Sequence, residues 1–94
     1  MTAEKVIVKN RAGIHARPAS VLVKAAQQFE SSIFLEKDSM KVNAKSIMNI
    51  FALAATFNSE IIVSAEGKDE KEAVCAICTL FENRFEDQSQ EETS

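Results

Sequence analysis

The chain has 94 residues, eleven of them basic and fourteen acidic, with a formal net charge of −3 and a single histidine. A chain of this length forms one domain with a thin core, so a functional site is expected on its surface. The acidic balance and the lack of tyrosine and tryptophan argue against nucleic-acid binding, which usually requires a basic face. No apolar stretch approaches the roughly 18 residues of a membrane span, and no signal peptide is visible. We therefore expect a cytoplasmic protein without membrane insertion.

The first predicted elements are a strand and a helix. Val6 and Val8 alternate with lysines, which is the two-residue period of a half-buried strand. A turn-like NRAG follows, and residues 16–28 then place apolar side chains at helical spacing. Pro18 belongs in the first turn of this helix, because a proline is tolerated where the amide has no intrahelical acceptor. The helix is therefore expected to begin at or just after His15.

A hairpin and a short helix come next. Residues 31–37 and 40–42 predict two strands, and the Asp-Ser pair between them predicts a tight turn. Ser46 precedes a short amphipathic segment and is a good N-cap for it. Asn58 is expected to end that second helix in a left-handed conformation.

A fourth strand and a third helix complete the chain. Residues 60–66 predict the strand, Gly67 a turn, and residues 70–85 a helix that Asp69 can cap. The order strand, helix, two strands, helix, strand, helix (βαββαβα) predicts an α+β fold. We expect an open-faced β-sandwich, in which three helices cover one face of a four-stranded antiparallel sheet.

The C-terminal sequence changes character after the last helix. EDQSQEETS is acidic, polar and without apolar periodicity. We therefore expect a single domain over residues 1–86 and an acidic, disordered tail over residues 87–94.

Two cysteines and six phenylalanines are interpreted as packing residues. Cys75 and Cys78 form a C-x-x-C, which can bind zinc or carry redox chemistry. Their flanks are apolar at helical spacing and there is no second pair, so buried thiols in a reducing cytoplasm are expected. A redox protein is the weaker alternative. The phenylalanines occupy apolar-periodic positions and are expected in the core. No metal or cofactor is predicted.

The segment best suited to chemistry is GIHARPAS, residues 13–20. At a helix start, His15 lies at the positive end of the dipole, beside the amides of Ala16 and Arg17, which have no acceptor within the helix, an arrangement that binds phosphate. An imidazole is nucleophilic near neutral pH, and the Arg17 guanidinium can bind two phosphate oxygens. Gly13 permits an unusual backbone conformation before the site. From the spacing alone, a capping histidine with a solvated arginine is an equally good interpretation.

The GIHARPA segment closely resembles the active-site motif of the histidine-containing phosphocarrier (HPr) family of the bacterial phosphotransferase system. The chain is also similar to that family at KSIM, residues 45–48, and along residues 60–67. The similarity runs from about Val6 to Leu80, with the spacing between motifs kept. It implies a phosphoryl carrier that serves as a co-substrate of other enzymes, rather than an enzyme itself.

The resemblance implies roles for individual residues. His15 would accept a phosphoryl group on Nδ1 from phospho-enzyme I and pass it to a sugar-specific enzyme IIA, while Arg17 steadies the phosphate. Ser46 matches the family's regulatory serine, which a kinase phosphorylates in some bacteria. Further expected partners are that kinase and a transcriptional regulator, and a monomer is expected. Positions that match the family's docking face are Ala16, Arg17, Ser20, Val21, Lys24, Gln27, Ile47, Met48 and Phe51.

Other functions stay open beside sugar uptake. Asn49 and Ala54 stand where many relatives have glycine, and Phe57 stands at a position that is often basic or small. These departures bear on partner affinity and keep open a regulatory or nitrogen-branch carrier, which controls transcription factors or kinases without feeding sugar uptake. A binding module with a serine switch and no histidine chemistry is a third possibility, and the presence of His15 with Arg17 argues against it.

Overall fold

The computed structural model describes residues 1–85. The predicted tail, residues 87–94, and the predicted domain end at residue 86 lie outside the described residues. The elements are β1 (Thr2–Ile7), α1 (Ala16–Ala26), β2 (Ser32–Lys37), β3 (Met40–Asn43), α2 (Ile47–Leu53), β4 (Glu60–Glu66) and α3 (Glu70–Glu82). The predicted βαββαβα order and the α+β class are confirmed.

The four strands form one sheet in the order β1-β4-β2-β3, and every neighbouring pair is antiparallel. Side chains of a strand alternate between the two faces of a sheet. In β4, Ile61, Val63 and Ala65 point to the helices and are fully buried, whereas Ile62 between them is half-buried on the other face. The three helices therefore cover one face, as an open-faced sandwich requires.

The core lies between the sheet and the helices. In α1, the apolar positions at helical spacing are all buried: Ala19, Leu22, Val23 and Ala26. In α3, Ala73, Ile77 and Phe81 are buried as predicted, and Val74 joins them, while Leu80 is only half-buried. Because α1 packs against both α2 and α3, the start of α1 is anchored by the core, although it faces solvent.

Helix ends differ from the prediction. α1 ends at Ala26 rather than 28, and α3 ends at Glu82 rather than 85. α2 ends in a left-handed residue, but that residue is Ala54 (φ 56°, ψ 44°), whose amide donates to Phe51 O at 3.1 Å. Asn58 is also left-handed, with φ 73°, yet it lies in the loop that follows.

Replacing Ala54 with glycine is expected to stabilise the protein by about 1 kcal/mol. The left-handed conformation of Ala54 brings its Cβ close to backbone atoms, and glycine removes that cost. The matched control is Ala52→Gly on the exposed face of α2, which should destabilise by about 1 kcal/mol. Urea unfolding of both variants measures the difference. Equal destabilisation by both substitutions would show that position 54 is not strained.

Asp69 connects the start of α3 to the segment before β2. Its carboxylate accepts hydrogen bonds from the Ser31 hydroxyl, Ser31 N (2.9 Å) and Glu30 N (3.0 Å). These donors, the Ser31 hydroxyl first, lower the pKa of Asp69 from its ordinary 3.8 to about 2. Asp69 is the N-cap residue of α3, as predicted, but its side chain makes no cap hydrogen bond, since its oxygens accept from this loop instead.

The low pKa of Asp69 makes the fold sensitive to acid. The folded pKa of about 2 lies below the ordinary 3.8, so the stabilisation is fully present above the unfolded pKa and is lost as the pH falls toward about 2. Asp69→Asn should lower the free energy of unfolding at neutral pH and flatten its pH dependence between about pH 4 and pH 2. Urea titrations across that range measure this. The control is Asp38→Asn, in the exposed turn between β2 and β3, which should keep the wild-type dependence of the free energy of unfolding on pH. The same wild-type dependence in Asp69→Asn would refute the role of Asp69 in acid sensitivity.

The phenylalanines are not all core residues. Phe81 and Phe85 are buried and pack edge to face, with ring centroids 5.4 Å apart. Phe51 and Phe57 are 43% and 42% exposed, so the prediction for these two is wrong. α2 turns Ile50 and Leu53 to the core instead of Phe51. Phe57 lies in a loop, where the guanidinium of Arg11 stacks on its ring. Phe29 and Phe34 are half-buried.

The two thiols differ from each other, and only Cys78 packs against the core as predicted. Cys75 is exposed, because the core-facing stripe of α3 runs through its neighbours Ala73, Val74 and Ile77. Cys78 is half-buried and packs against the core. Burial, followed by the nearby carboxylate of Glu4, raises the pKa of the Cys78 thiol to about 11. Cys78 is therefore a packing residue and a poor nucleophile.

Candidate functional site

The site is built on the N-terminus of α1. His15 is the N-cap residue, with an extended backbone (φ −97°, ψ −164°) and an exposed side chain that makes no cap hydrogen bond. Its carbonyl accepts from Ala19 N at 2.9 Å, and Pro18 has no amide proton. Consequently Ala16 and Arg17 supply the N–H groups of this helix end that have no intrahelical acceptor. This end of α1 therefore carries the His15 imidazole and these two amides in consecutive residues.

Backbone hydrogen bonds hold the loop before His15 in place. Gly13 has φ 76°, and its amide donates to Asn10 O at 3.0 Å. The next amide, that of Ile14, donates to Ala55 O at 3.1 Å, and the Ile14 side chain is buried. A Cβ on Gly13 would lie 2.8 Å from Ala55 O. Contacts with the loop after α2 therefore fix the position and direction of the His15 backbone.

A surface cavity of about 420 Å³ opens beside the imidazole. It is lined by Asn10, His15, Ala16, Arg17, Pro18, Arg84 and Phe85. Among the described residues, the lining contributes an imidazole and two guanidinium groups, which are groups that bind anions such as phosphate. Sequence reasoning identified His15, Ala16 and Arg17 and missed Arg84.

The end of α3 reaches the cavity because polar contacts connect it to the segment after β1. The Lys9 ammonium pairs with Glu82 at 2.7 Å, and Asn10 Nδ2 donates to Arg84 O at 3.2 Å. These contacts join residues more than 70 positions apart. Only the folded sheet, which places β1 beside the end of α3, brings them together.

Several predicted docking residues share one surface. Ser20, Val21 and Lys24 line a shallow depression of about 340 Å³, together with Ala16 and Arg17. Gln27 follows α1 and is exposed. On α2, Met48 is 70% exposed beside the exposed Phe51, while Ile47 is half-buried against the core. The α1 members of this set combine basic and apolar side chains and lie in the turns that follow His15.

Ser46 is the N-cap of α2, as predicted. Its Oγ accepts hydrogen bonds from Asn49 N at 3.3 Å and from Asn49 Nδ2 at 3.1 Å. Asn49 also accepts from Asn43 N at 3.2 Å through its Oδ1. Ser46 is partly buried, and its hydroxyl is held by a side chain that a glycine at position 49 would not supply.

Two further classes of site are not found among residues 1–85. Within that range, no group of three or more His, Cys, Asp and Glu side chains could hold a metal ion. No helix among the described residues is long and apolar enough to cross a membrane.

Comparison with known proteins places this geometry in a family. Residues 2–83 match the family described as the PTS HPr component phosphorylation site. The chain is 50% identical over 88 residues to the phosphocarrier protein HPr of Treponema pallidum, covering 94% of this chain and all of that one. It is 47% identical over 74 residues to the HPr-like protein Crh of Bacillus subtilis, covering 79% and 87% of the two chains.

Solved structures agree with these sequence relatives. HPr of Thermoanaerobacter tengcongensis superposes with a TM-score of 0.88 at 46% identity, covering 90% of this chain and 96% of that one. HPr of Bacillus anthracis gives 0.82 at 41% identity, covering 85% and 95%. The fold and site therefore define a small phosphocarrier of the open-faced sandwich class. The chain belongs to the HPr family of the phosphotransferase system, which confirms the resemblance carried by GIHARPA.

Proposed function

We propose that this protein carries a phosphoryl group on His15 from phospho-enzyme I to an enzyme IIA. The observation that carries this proposal is the exposed imidazole at the start of α1, beside two amides and Arg17 at the mouth of an electropositive cavity. A ring nitrogen, Nδ1 by resemblance to the family, attacks phosphorus. The new N–P bond forms as the bond between phosphorus and the donor breaks. In the second transfer, His15 is the donor: its N–P bond breaks as a group of enzyme IIA attacks phosphorus.

Each neighbouring group has a part in this exchange. The phosphoryl oxygens carry about two negative charges, which the amides of Ala16 and Arg17 and the helix dipole stabilise. The guanidinium of Arg17 binds two of these oxygens, and it stays in contact with the phosphoryl group while that group is transferred to the next protein. Since His15 is exposed, a partner's reactive group can approach in line without rearrangement of the carrier.

The partners are proposed to dock on the surface around His15. Lys24 and Arg17 provide positive charge that suits an acidic partner, and Met48 and Phe51 provide apolar area. Ser20, Val21, Gln27 and Ile47 complete the proposed surface. The carrier is proposed to act as a cytoplasmic monomer, so its transfer rates depend on these encounters rather than on a bound substrate.

Ser46 is the proposed regulatory site. A phosphate on its Oγ would add about two negative charges at the N-terminus of α2, close to the exposed Met48 and Phe51. The position is electrostatically favourable for the helix, so the docking surface would change without unfolding. Incubation with ATP and an HPr kinase of the same organism should phosphorylate wild type and not Ser46→Ala. Phosphorylation of Ser46→Ala to the same extent would remove Ser46 from this role.

A regulatory carrier is the second candidate, since the relatives include HPr-like Crh proteins at 47% and 46% identity. Such a protein would control a transcriptional regulator or a kinase without feeding sugar uptake. Deleting the gene should then change expression of target genes and leave uptake of phosphotransferase sugars unchanged. Loss of that uptake would favour the first candidate.

Loading of His15 is the direct test of the proposed function. Incubation with phosphoenolpyruvate and catalytic enzyme I should add one acid-labile phosphoryl group, seen by intact mass spectrometry. His15→Ala should gain none, while Ser46→Ala, which keeps the imidazole, should be loaded like wild type. No phosphoryl gain by wild type, or equal gain by His15→Ala, would refute the proposal.

A further inference from the structure

We propose that Arg84 is a second phosphoryl-binding residue at the His15 site, acting together with Arg17. This inference rests on the proposed phosphocarrier function and adds a residue to its site. Arg84 lies in the turn after α3, and it lines the same cavity as His15 and Arg17. A phosphohistidine carries about two negative charges, so a pair of guanidinium groups matches the charge of the group to be held.

The backbone at Arg84 has an unusual conformation for an arginine. Arg84 N donates to Phe81 O at 3.1 Å and Phe85 N donates to Leu80 O at 3.0 Å. These two bonds form the motif in which a left-handed residue, usually glycine, ends a helix. Here that residue is Arg84, with φ 55°. A glycine would fit this position with less strain, so the backbone conformation does not favour an arginine here.

The turn is held firmly enough to position a side chain. Asn10 Nδ2 donates to Arg84 O at 3.2 Å, from the loop that leads to His15. Phe85 is 3% exposed and packs edge to face on Phe81. The backbone of Arg84 is therefore fixed on both sides, by the core and by the loop before His15. Strained residues that the surrounding structure holds in place are concentrated at functional sites.

Two other roles for Arg84 make different predictions. A cation after a helix C-terminus can stabilise the helix dipole, and the acidic sequence EDQSQEETS follows Arg84 and Phe85 directly in the chain. In the first role the arginine affects stability alone. In the second it pairs with the carboxylates of its own chain. Neither role requires that phosphate binding depend on Arg84.

The test titrates inorganic phosphate into the full chain and follows the amide signals of Ala16 and Arg17 by NMR. Arg84→Gln should weaken phosphate binding about tenfold, the loss expected for one charge-assisted contact, and Arg84→Lys should recover part of it. The matched control is Arg11→Gln, which removes the same charge from a residue that stacks on Phe57 outside the cavity; its phosphate affinity should stay close to wild type. Equal affinities in wild type and Arg84→Gln would overturn the proposal.

Arg84→Gly separates binding from folding. Glycine relieves the left-handed strain, so this variant should resist urea better than wild type while it binds phosphate about tenfold more weakly. A variant that loses stability and keeps its phosphate affinity would show a purely structural arginine. Enzyme I loading of the same variants should be slower in proportion to the loss of phosphate affinity.

A second background isolates the acidic segment. In a full-length variant with Glu86, Asp87, Glu91 and Glu92 changed to their amides, Arg84→Gln should still weaken phosphate binding about tenfold. If the effect of Arg84→Gln disappears in this background, the arginine serves its own carboxylates and the proposal is wrong. Failure of wild type to become phosphorylated by enzyme I would instead refute the proposed function, because phosphate titration does not depend on enzyme I.

Discussion

Arg17→Ala is expected to slow phosphoryl loading of His15 by about 10²-fold or more. Arg17 lies two residues after His15, in the first turn of α1, and lines the same cavity. Removing a fixed donor that stabilises the charge of a transferring group typically costs this much in rate. The amide of residue 17 survives the substitution, so the measured loss belongs to the guanidinium. Rapid-quench kinetics with phospho-enzyme I gives the rate.

The controls for Arg17 test charge and fold separately. Arg17→Lys keeps the charge and loses the two-pronged geometry, so it should lie between wild type and alanine. Arg11→Ala removes a nearby arginine that stacks on the ring of Phe57 at 5.5 Å and should leave the loading rate close to wild type. Equal losses in Arg17→Ala and Arg11→Ala would mean that net positive charge, rather than contact with the phosphate, sets the rate.

Gly13→Ala is expected to destabilise the fold by about 2 kcal/mol and to slow phosphoryl loading as well. The residue has φ 76°, where an alanine is strained, and the new Cβ would lie 2.8 Å from Ala55 O, a backbone atom. Relief of this clash must move the loop or break the bond from Ile14 N to Ala55 O, and either change displaces His15. Urea unfolding and enzyme I loading measure the two effects.

The neighbouring residue provides the matched comparison for Gly13. Ala12 is exposed in the same loop, and Ala12→Ser should change the free energy of unfolding by no more than about 0.5 kcal/mol. If Gly13→Ala were as stable and as active as Ala12→Ser, the contact with Ala55 would not hold the site in place. The two loops would then be independent of each other.

Strong periodicity explains why the fold could be predicted. The alternation in β4 and the helical spacing in α1 each predict which side of the element is buried. In the structure, the predicted side of β4 and the predicted side of α1 both lie in the core. The ends of α2 and α3 were predicted less well, since each depends on a single left-handed residue. Ala54 and Arg84 occupy such positions although glycine is the common choice, and no sequence rule selects an alanine or an arginine there.

The site could be predicted in part. His15 and its two amides belong to one continuous segment, so local helix rules and the GIHARPA resemblance were sufficient to find them. Arg84 was missed because the last helix was expected to run through it, and because contacts between residues over 70 positions apart bring it to His15. The exposure of Phe51 and Cys75 likewise depends on which side of each helix faces the sheet.

We claim that the phosphoryl group on His15 is passed on to a second protein, and a chase experiment tests this. The phosphorylated protein, freed of enzyme I and phosphoenolpyruvate, is mixed with each enzyme IIA of the same organism, and both proteins are followed by mass spectrometry. The expected result is that the carrier loses its phosphoryl group at the rate at which one enzyme IIA gains it. A phosphoryl group that stays on the carrier, or appears only as inorganic phosphate with every enzyme IIA, would contradict the claim.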